Sequence, residues 1–157
     1  MRDRTFALRE VRTGTDLETA FDVRREVFVV EQGVPEELEF DAYDAQALHI
    51  CAVRTEDGVA LGTARLLYGG HAPEPIAATE GLGALGRLAV TRAARGLGVG
   101  AALVRGIEDA GRARGLTVME LSAQTQALGF YERLGYVPYG DVYPDAGIPH
   151  RAMRRAL

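Results

Sequence analysis

Arg87-Leu88-Ala89-Val90-Thr91-Arg92-Ala93-Ala94-Arg95-Gly96-Leu97-Gly98-Val99-Gly100-Ala101-Ala102-Leu103-Val104 reads as a strand, a glycine-rich turn and a helix in succession. The apolar run Leu88 to Val90 stops at a basic turn of small residues, and from Val99 apolar side chains recur at helical spacing through Leu103, Val104 and Ile107. Gly96, Gly98 and Gly100 therefore stand at a helix N-terminus. There the first N–H groups have no partner within the helix and the helix dipole is positive, so a phosphate-bearing ligand is the natural occupant. Arg92 and Arg95 add charge beside it. The Gly-Lys-Ser/Thr ending of a phosphate-binding nucleotidase loop is absent, and the segment fits an early Gly-x-Gly-x-x-Gly dinucleotide fingerprint poorly. A purely structural reading, in which the glycines only let the helix pack close on a sheet, stands beside the ligand reading.

Upstream, Thr5 to Arg12 reads as a first strand, broken at Gly14-Thr15. Thr15 with Glu18 three residues on fits a capping box, and Leu17, Ala20, Phe21, Val27 and Phe28 give a helix with one apolar stripe. Arg24 and Arg25 are assigned to its solvated face. Val29 to Asp41, acidic and interrupted by Gly33 and Pro35, is expected as a loop, or a loop with a short helix from Pro35. Ala47 to Arg54 and Val59 to Tyr68 flank an Asp57-Gly58 turn and read as a hairpin. After a long loop from Gly69 to Gly83, Leu85 to Val90 supplies a fourth strand. Downstream, the helix ends near Gly111 or Gly115. A fifth strand follows at Leu116 to Leu121, then a helix at Thr125 to Leu134 closed by Gly135, then strands at Tyr136 to Tyr139 and His150 to Arg155. The order describes an α+β, mixed α/β sheet with helices on its faces, in which strands four and five are parallel across a right-handed crossover.

With 157 residues the chain fits one domain, 1–157, and 47% hydrophobic with 25% charged residues is an ordinary globular composition. A net charge of −4 argues against a general nucleic-acid binder, which needs a basic face. Met1 to Phe6 lacks the apolar core of a signal peptide and no run is long enough to span a bilayer, so a reducing cytoplasm is the expectation. Cys51 is the single cysteine, in an apolar strand pattern that suits a buried thiol, and the histidines have no metal-ligand spacing.

The turn resembles motif A of the GCN5-related N-acetyltransferases, whose pattern Gln/Arg-x-x-Gly-x-Gly/Ala is met by Arg95, Gly98 and Gly100. Leu121 to Tyr136, with Phe130-Tyr131, is similar to the family's second signature. A closer likeness, to the ElaA-like and YjcF-like bacterial acetyltransferases, rests on Val27 to Pro35, the acidic run ending at Asp44 before His49, Ala123 to Gln126 and Asp145 to His150. The resemblance implies one twisted, mostly antiparallel sheet of about six to seven strands, parallel and splayed between strands four and five. It implies acetyl-CoA as co-substrate, with its pyrophosphate on Arg95, Gly96, Leu97, Gly98, Val99, Gly100 and Ala101. Its pantetheine arm would lie along Leu88, Ala89 and Val90, with Gln124 nearby. Expected partners are acetyl-CoA and an amine acceptor, with a second copy of the chain as a further candidate, and neither nucleic acid nor membrane.

Acyl transfer from a thioester to an amine needs a neutral amine, a polarised carbonyl and a protonated leaving thiolate. By resemblance Tyr131 protonates the thiolate, and a backbone N–H between Leu88 and Val90 serves the carbonyl. Many family members carry a glutamate on strand four as base, where this chain has Gly86. The base is therefore sought elsewhere. His150 and His49 titrate in the useful range, Glu120 is available if it faces the cleft, and Asp41 with Asp44 and Glu39 forms an acidic cluster able to draw a cationic amine. Glu31 and Gln32 are expected to shape the acceptor pocket. The second reading is a non-catalytic acyl-CoA sensor of the same fold, which Gly86 favours.

Overall fold

The computed structural model describes residues 5–157. The expectation that the N-terminus carries no leader rests on Met1 to Arg4 as well, which lie outside the described residues. Seven strands, β1 (Phe6–Glu10), β2 (Leu48–Arg54), β3 (Ala60–Leu67), β4 (Leu82–Val90), β5 (Val118–Gln124), β6 (Val137–Asp145) and β7 (Ile148–Ala156), form one sheet in the order β1-β2-β3-β4-β5-β7-β6. Every neighbouring pair is antiparallel except β4 and β5.

Alternation along β5 sets the two faces. Met119, Leu121 and Ala123 are buried on one side, while Glu120, Ser122 and Gln124 belong to the other. The first face is covered by α3 (Val99–Ala113), whose Leu103, Val104 and Ile107 are fully buried against Leu85, Met119, Leu121 and Met153. Each such side chain contributes about 1.5–3 kcal/mol by leaving water. Two helix ends are closed in the same way. Leu116 N–H returns to Gly111 O after α3, and Tyr136 N–H to Tyr131 O after α4 (Leu128–Arg133), with Gly115 and Gly135 at positive φ between. These are Schellman caps, and glycine enters the left-handed conformation without a Cβ clash.

On the opposite face α1 (Gly14–Arg24) packs over β2, β3 and β4. It continues as a π-helix, Arg25–Glu31, which carries the expected helix past Phe28 into the start of the expected loop, and α2 (Glu36–Glu39) follows Pro35. The α1 cap is Thr13, whose hydroxyl accepts from Asp16 N–H, rather than a Thr15/Glu18 box; the chain at Thr13 is extended and frees that side chain to cap. A capping box does occur, at Asp41 and Asp44 on the 3-10 turn Ala42–Ala45. β4 begins at Leu82, earlier than expected, because its first three residues pair with β5. The stretch between the last two expected strands, Tyr136 to Tyr139 and His150 to Arg155, is taken up by β6 and a tight hairpin, with Asp145 opposite Ile148.

Two irregularities open this face. The β4–β5 ladder runs only from Leu82↔Val118 to Ala84↔Glu120, after which the strands part. On its other side β4 carries a bulge: between Gly86↔Arg65 and Ala89↔Thr63, two residues, Arg87 and Leu88, stand against Ala64 alone. Arg87 has φ 51 there.

The β6–β7 turn gives a test. Ala146 and Gly147 have φ 51 and 77, the two positive values a type I′ turn requires, and Ala146 carries a Cβ penalty that asparagine tolerates better. Ala146→Asn is expected to stabilise the fold by about 1 kcal/mol, raising the melting temperature by roughly 2–4 °C. A lower melting temperature would refute the turn assignment.

Candidate active site

Where β4 and β5 part lies a cleft of about 1000 Å³. At one end is the turn leading into α3. Gly96 and Gly98 have φ 85 and 81, and a Cβ added at either meets nothing within 4 Å. The first turn of α3 has no side-chain cap, and its first internal bond is Ala102 N–H to Gly98 O. The turn thus bears free N–H groups beside two glycines where a Cβ would project into open space, an arrangement that suits a pyrophosphate. Gly100 differs. A Cβ there would lie 3.3 Å from Phe130, so this glycine serves the packing of α3 on α4.

From Arg95 to Ala101 every residue of the turn lines the cleft except Leu97, which is more than half exposed. Arg95 donates twice to the Glu31 carboxylate, at 2.7 and 2.8 Å, and to Val90 O at 3.2 Å. Its guanidinium therefore ties the end of the π-helix to the turn. Gln32 and Gln124, joined at 2.8 Å, make a second tie from the π-helix to β5. Leu88 and Val90 face the cleft, while the Ala89 side chain is buried against Val23 and Val27.

Tyr131, on α4, borders the cleft with its residue 7% exposed. Its hydroxyl makes no hydrogen bond among the described residues, and burial pushes its phenol far above the ordinary range, so the proton stays on oxygen. The neighbouring Tyr136 differs, donating to buried Glu108 at 2.8 Å.

Across the cleft, the open face of β5, β7 and β6 forms a polar wall. Gln124 pairs with His150, Ser122 with Ala152 and Glu120 with Arg154, and Tyr139 and Tyr143 continue the rows on β6. Tyr143 is hydrogen-bonded to Ser122. Glu120 accepts from Tyr139 and from Arg154. His150 stacks on Tyr143, and its Nδ1 lies 2.7 Å from Ile148 O. A carbonyl only accepts, so Nδ1 carries a hydrogen, and in the singly protonated ring the lone pair is on Nε2.

The acidic cluster was expected to draw a cationic amine, but three arginines neutralise it. Arg24, assigned from sequence to a solvated face, is fully buried. It donates to Glu39 at 2.8 Å and to Asp44 at 2.7 Å, while Arg25 is half-buried and pairs with Glu36. Arg65 donates to Asp41 and Asp44 at 2.8 and 2.9 Å. Arg87 lies against Glu39 and Asp41. Asp41 is absent from the cleft lining, its carboxylate engaged by the two arginines and by Tyr43 N–H. His49 is buried with Nε2 2.9 Å from Asp44 O, and burial lowers its pKa, so it stays neutral beneath the site. Cys51 is buried and burial pushes its thiol up, leaving it inert. A signal for Arg24 was present in the sequence: it shares the apolar stripe of Ala20, Val23 and Val27, and a charge on that stripe must be paired.

Residues 17–136 match the profile of the Acetyltransferase (GNAT) family. YjcF of Bacillus subtilis, described as an uncharacterized N-acetyltransferase, is 36% identical over 140 residues, covering 88% of this chain and 91% of the relative. The crystal structure of an acyl-CoA N-acyltransferase from Pseudomonas aeruginosa superposes with a TM-score of 0.77 at 36% identity, over 96% of this chain and 98% of that one. Escherichia coli ElaA superposes with a TM-score of 0.80 at 25% identity, over 96% and 99%.

Removing Arg24 leaves two buried carboxylates short of their partner. Arg24→Met is expected to lose about 3–5 kcal/mol in denaturant titration, and a loss below about 1 kcal/mol would refute the network's role. The network also carries a pH signature. Burial raises the Asp44 carboxyl, but the Arg24 hydrogen bond and charge, the Asp41 N–H and Arg65 overcome this and bring it down to about 2. A depressed folded value means stability that is full above the ordinary carboxylate value of about 4 and drains as pH falls through about 2. Asp44→Asn is expected to flatten the stability profile in that window; an unaltered acid slope would overturn the assignment.

Proposed function

Because the chain belongs to the Acetyltransferase (GNAT) family, we propose that it is an acetyl-CoA-dependent N-acetyltransferase that moves the acetyl group directly to a primary amine within a ternary complex. In this reading residues 1–157 act as one domain, in a reducing cytoplasm that suits a lone buried thiol. The observation that carries it is the parting of β4 from β5, with a Cβ-free helix turn bordering the cleft on one side and an imidazole lone pair on the other.

Bound acetyl-CoA supplies an acetyl group activated as a thioester. The N–H groups from Gly96 to Ala101 hold its pyrophosphate, and Arg95 keeps that turn in place through Glu31. Val90 and Leu88 offer their main chain along the parted edge of β4, where an N–H donates to the thioester carbonyl oxygen as charge builds on it. His150 Nε2 takes a proton from the attacking amine. Tyr131, its phenol kept protonated by burial, gives a proton to the departing sulfur. Gln124 joins β5 to the π-helix at the cleft wall, and Asp41 acts at a distance by holding Arg65 and Arg87.

The sensor reading draws on Gly86, where no carboxylate stands and a Cβ would meet nothing within 4 Å. The two readings separate in one experiment. Acetyl-CoA should raise the melting temperature under both, and only an enzyme releases free CoA when offered an amine panel. Tyr131→Phe and His150→Gln are each expected to keep the thermal shift and lose turnover about a hundredfold. Wild-type rates in both variants would remove these roles, and Gly98→Val retaining the full thermal shift would remove the cofactor assignment.

A further inference from the structure

Among the described residues, Arg87 is the one on the cleft that combines a strained backbone with an incompletely bonded charge. Its φ of 51 is strained for a residue with a Cβ, and such strain is kept where the surroundings enforce it. The bulge brings its side chain to the same side as Arg65, where both reach Asp41. Neighbouring Gly86 has open space above it, so no side chain of that residue screens Arg87 from the cleft.

The guanidinium is held but not satisfied. Nε reaches Glu39 O at 3.1 Å and lies 3.2 Å from the Glu39 carboxylate, and Nη2 reaches Leu38 O at 3.5 Å and Asp41 at 3.4 Å. Nη1 has no hydrogen-bond partner among the described residues, and it is not sealed within the protein as Arg65 Nε is. The carboxylates beside it have shorter bonds elsewhere, Glu39 to Arg24 at 2.8 Å and Asp41 to Arg65 at 2.8 Å. Arg87 is thus the arginine of the network that remains available to a ligand, with 26% of its side chain exposed.

We infer that the acceptor is a primary amine carrying a carboxylate, an amino-acid-type substrate whose carboxylate is bound by Arg87 and whose amine meets His150 on the facing wall. This deepens, and rests on, the acetyltransferase reading. A planar guanidinium with a free nitrogen at its edge matches a carboxylate better than a neutral amine or alcohol. Burial and the nearby Arg65 depress the pKa of Arg87, so an arriving anion relieves a cation held in an unfavourable setting. Phe28, Val34 and Leu38 line the same side, and the last is more than half exposed; they receive the apolar body of the substrate.

The test uses matched acceptors with wild-type protein and acetyl-CoA: leucine against 3-methylbutylamine, and 6-aminohexanoate against hexylamine. At least one carboxylate member is expected to exceed its partner about tenfold in kcat/KM, an advantage lost in Arg87→Met and partly restored in Arg87→Lys. No preference in either pair, or an undiminished preference in Arg87→Met, overturns the proposal. The acetyl-CoA thermal shift of each variant reports that fold and cofactor site are intact. If no amine turns over, the acetyltransferase reading fails while the anion site is still decided by binding. N-acetylleucine should then raise the melting temperature of the wild type and Arg87→Lys but not of Arg87→Met. Equal shifts in wild type and Arg87→Met, or none in the wild type, overturn it.

Discussion

The ladder between β4 and β5 stops after Ala84 and Glu120, and the rest of the architecture follows from that interruption. A central strand that loses its neighbour leaves backbone N–H and C=O groups without sheet partners, and such groups demand water or a ligand. Elsewhere the sheet avoids this. β5 transfers its pairing to β7 along its whole length, and β4 keeps β3, so each strand is unpaired only toward the cleft. The opening therefore presents main chain from one side and the side chains of β5, β7 and β6 from the other. A long, thin ligand rich in amide groups fits the first, and a small polar acceptor fits the second.

Holding a sheet open requires a rigid support, and the Arg24 network provides one. Arg24 joins α1 to Glu39 on α2 and to Asp44 on the following turn, while Arg65 and Arg87 connect the same carboxylates to β3 and β4. Breaking such a buried pair costs about 3–5 kcal/mol, more than the roughly 1–3 kcal/mol of strain at Arg87, so the network can hold the bulge in place. Its members are unequal. Asp44 receives two arginines and a backbone N–H and titrates low. Glu39 is pushed up by burial, against the pull of Arg24 and Arg87.

Much of this was legible in the sequence, because periodicity and glycine placement are local signals. The α3 stripe, the Asp57-Gly58 hairpin and the glycine turn before α3 all depend on neighbours within a few residues, and the parallel β4–β5 pair follows from the strand-helix-strand order they define. What the sequence left unread is long-range. Arg24 and Asp44 are twenty residues apart, and nothing local distinguishes a buried arginine on a helix from a solvated one except the apolar stripe it occupies. The π-helix extends α1 beyond its expected end because the backbone gains a Val34 N–H bond to Phe28 O beyond the last turn. The bulge at Arg87 arises from β3 pairing, for which the β4 segment alone carries no sign.

The position of the proposed base follows from the same long-range pairing. With glycine at position 86, β4 offers no carboxylate at that place, and the reading that assigns the base to His150 draws on the other jaw of the cleft. β7 brings His150 there, its register setting it opposite Gln124 at the end of β5, while Glu120 on the same wall is engaged by Tyr139 and Arg154. The tautomer is then decided by one carbonyl. Ile148 O, held just beyond the Ala146-Gly147 turn, takes the Nδ1 hydrogen and leaves Nε2 as the acceptor. A change in that turn would rotate the carbonyl away and release the ring to either tautomer. The geometry of a two-residue turn thus bears on which nitrogen of His150 keeps the lone pair that the proposed transfer would use.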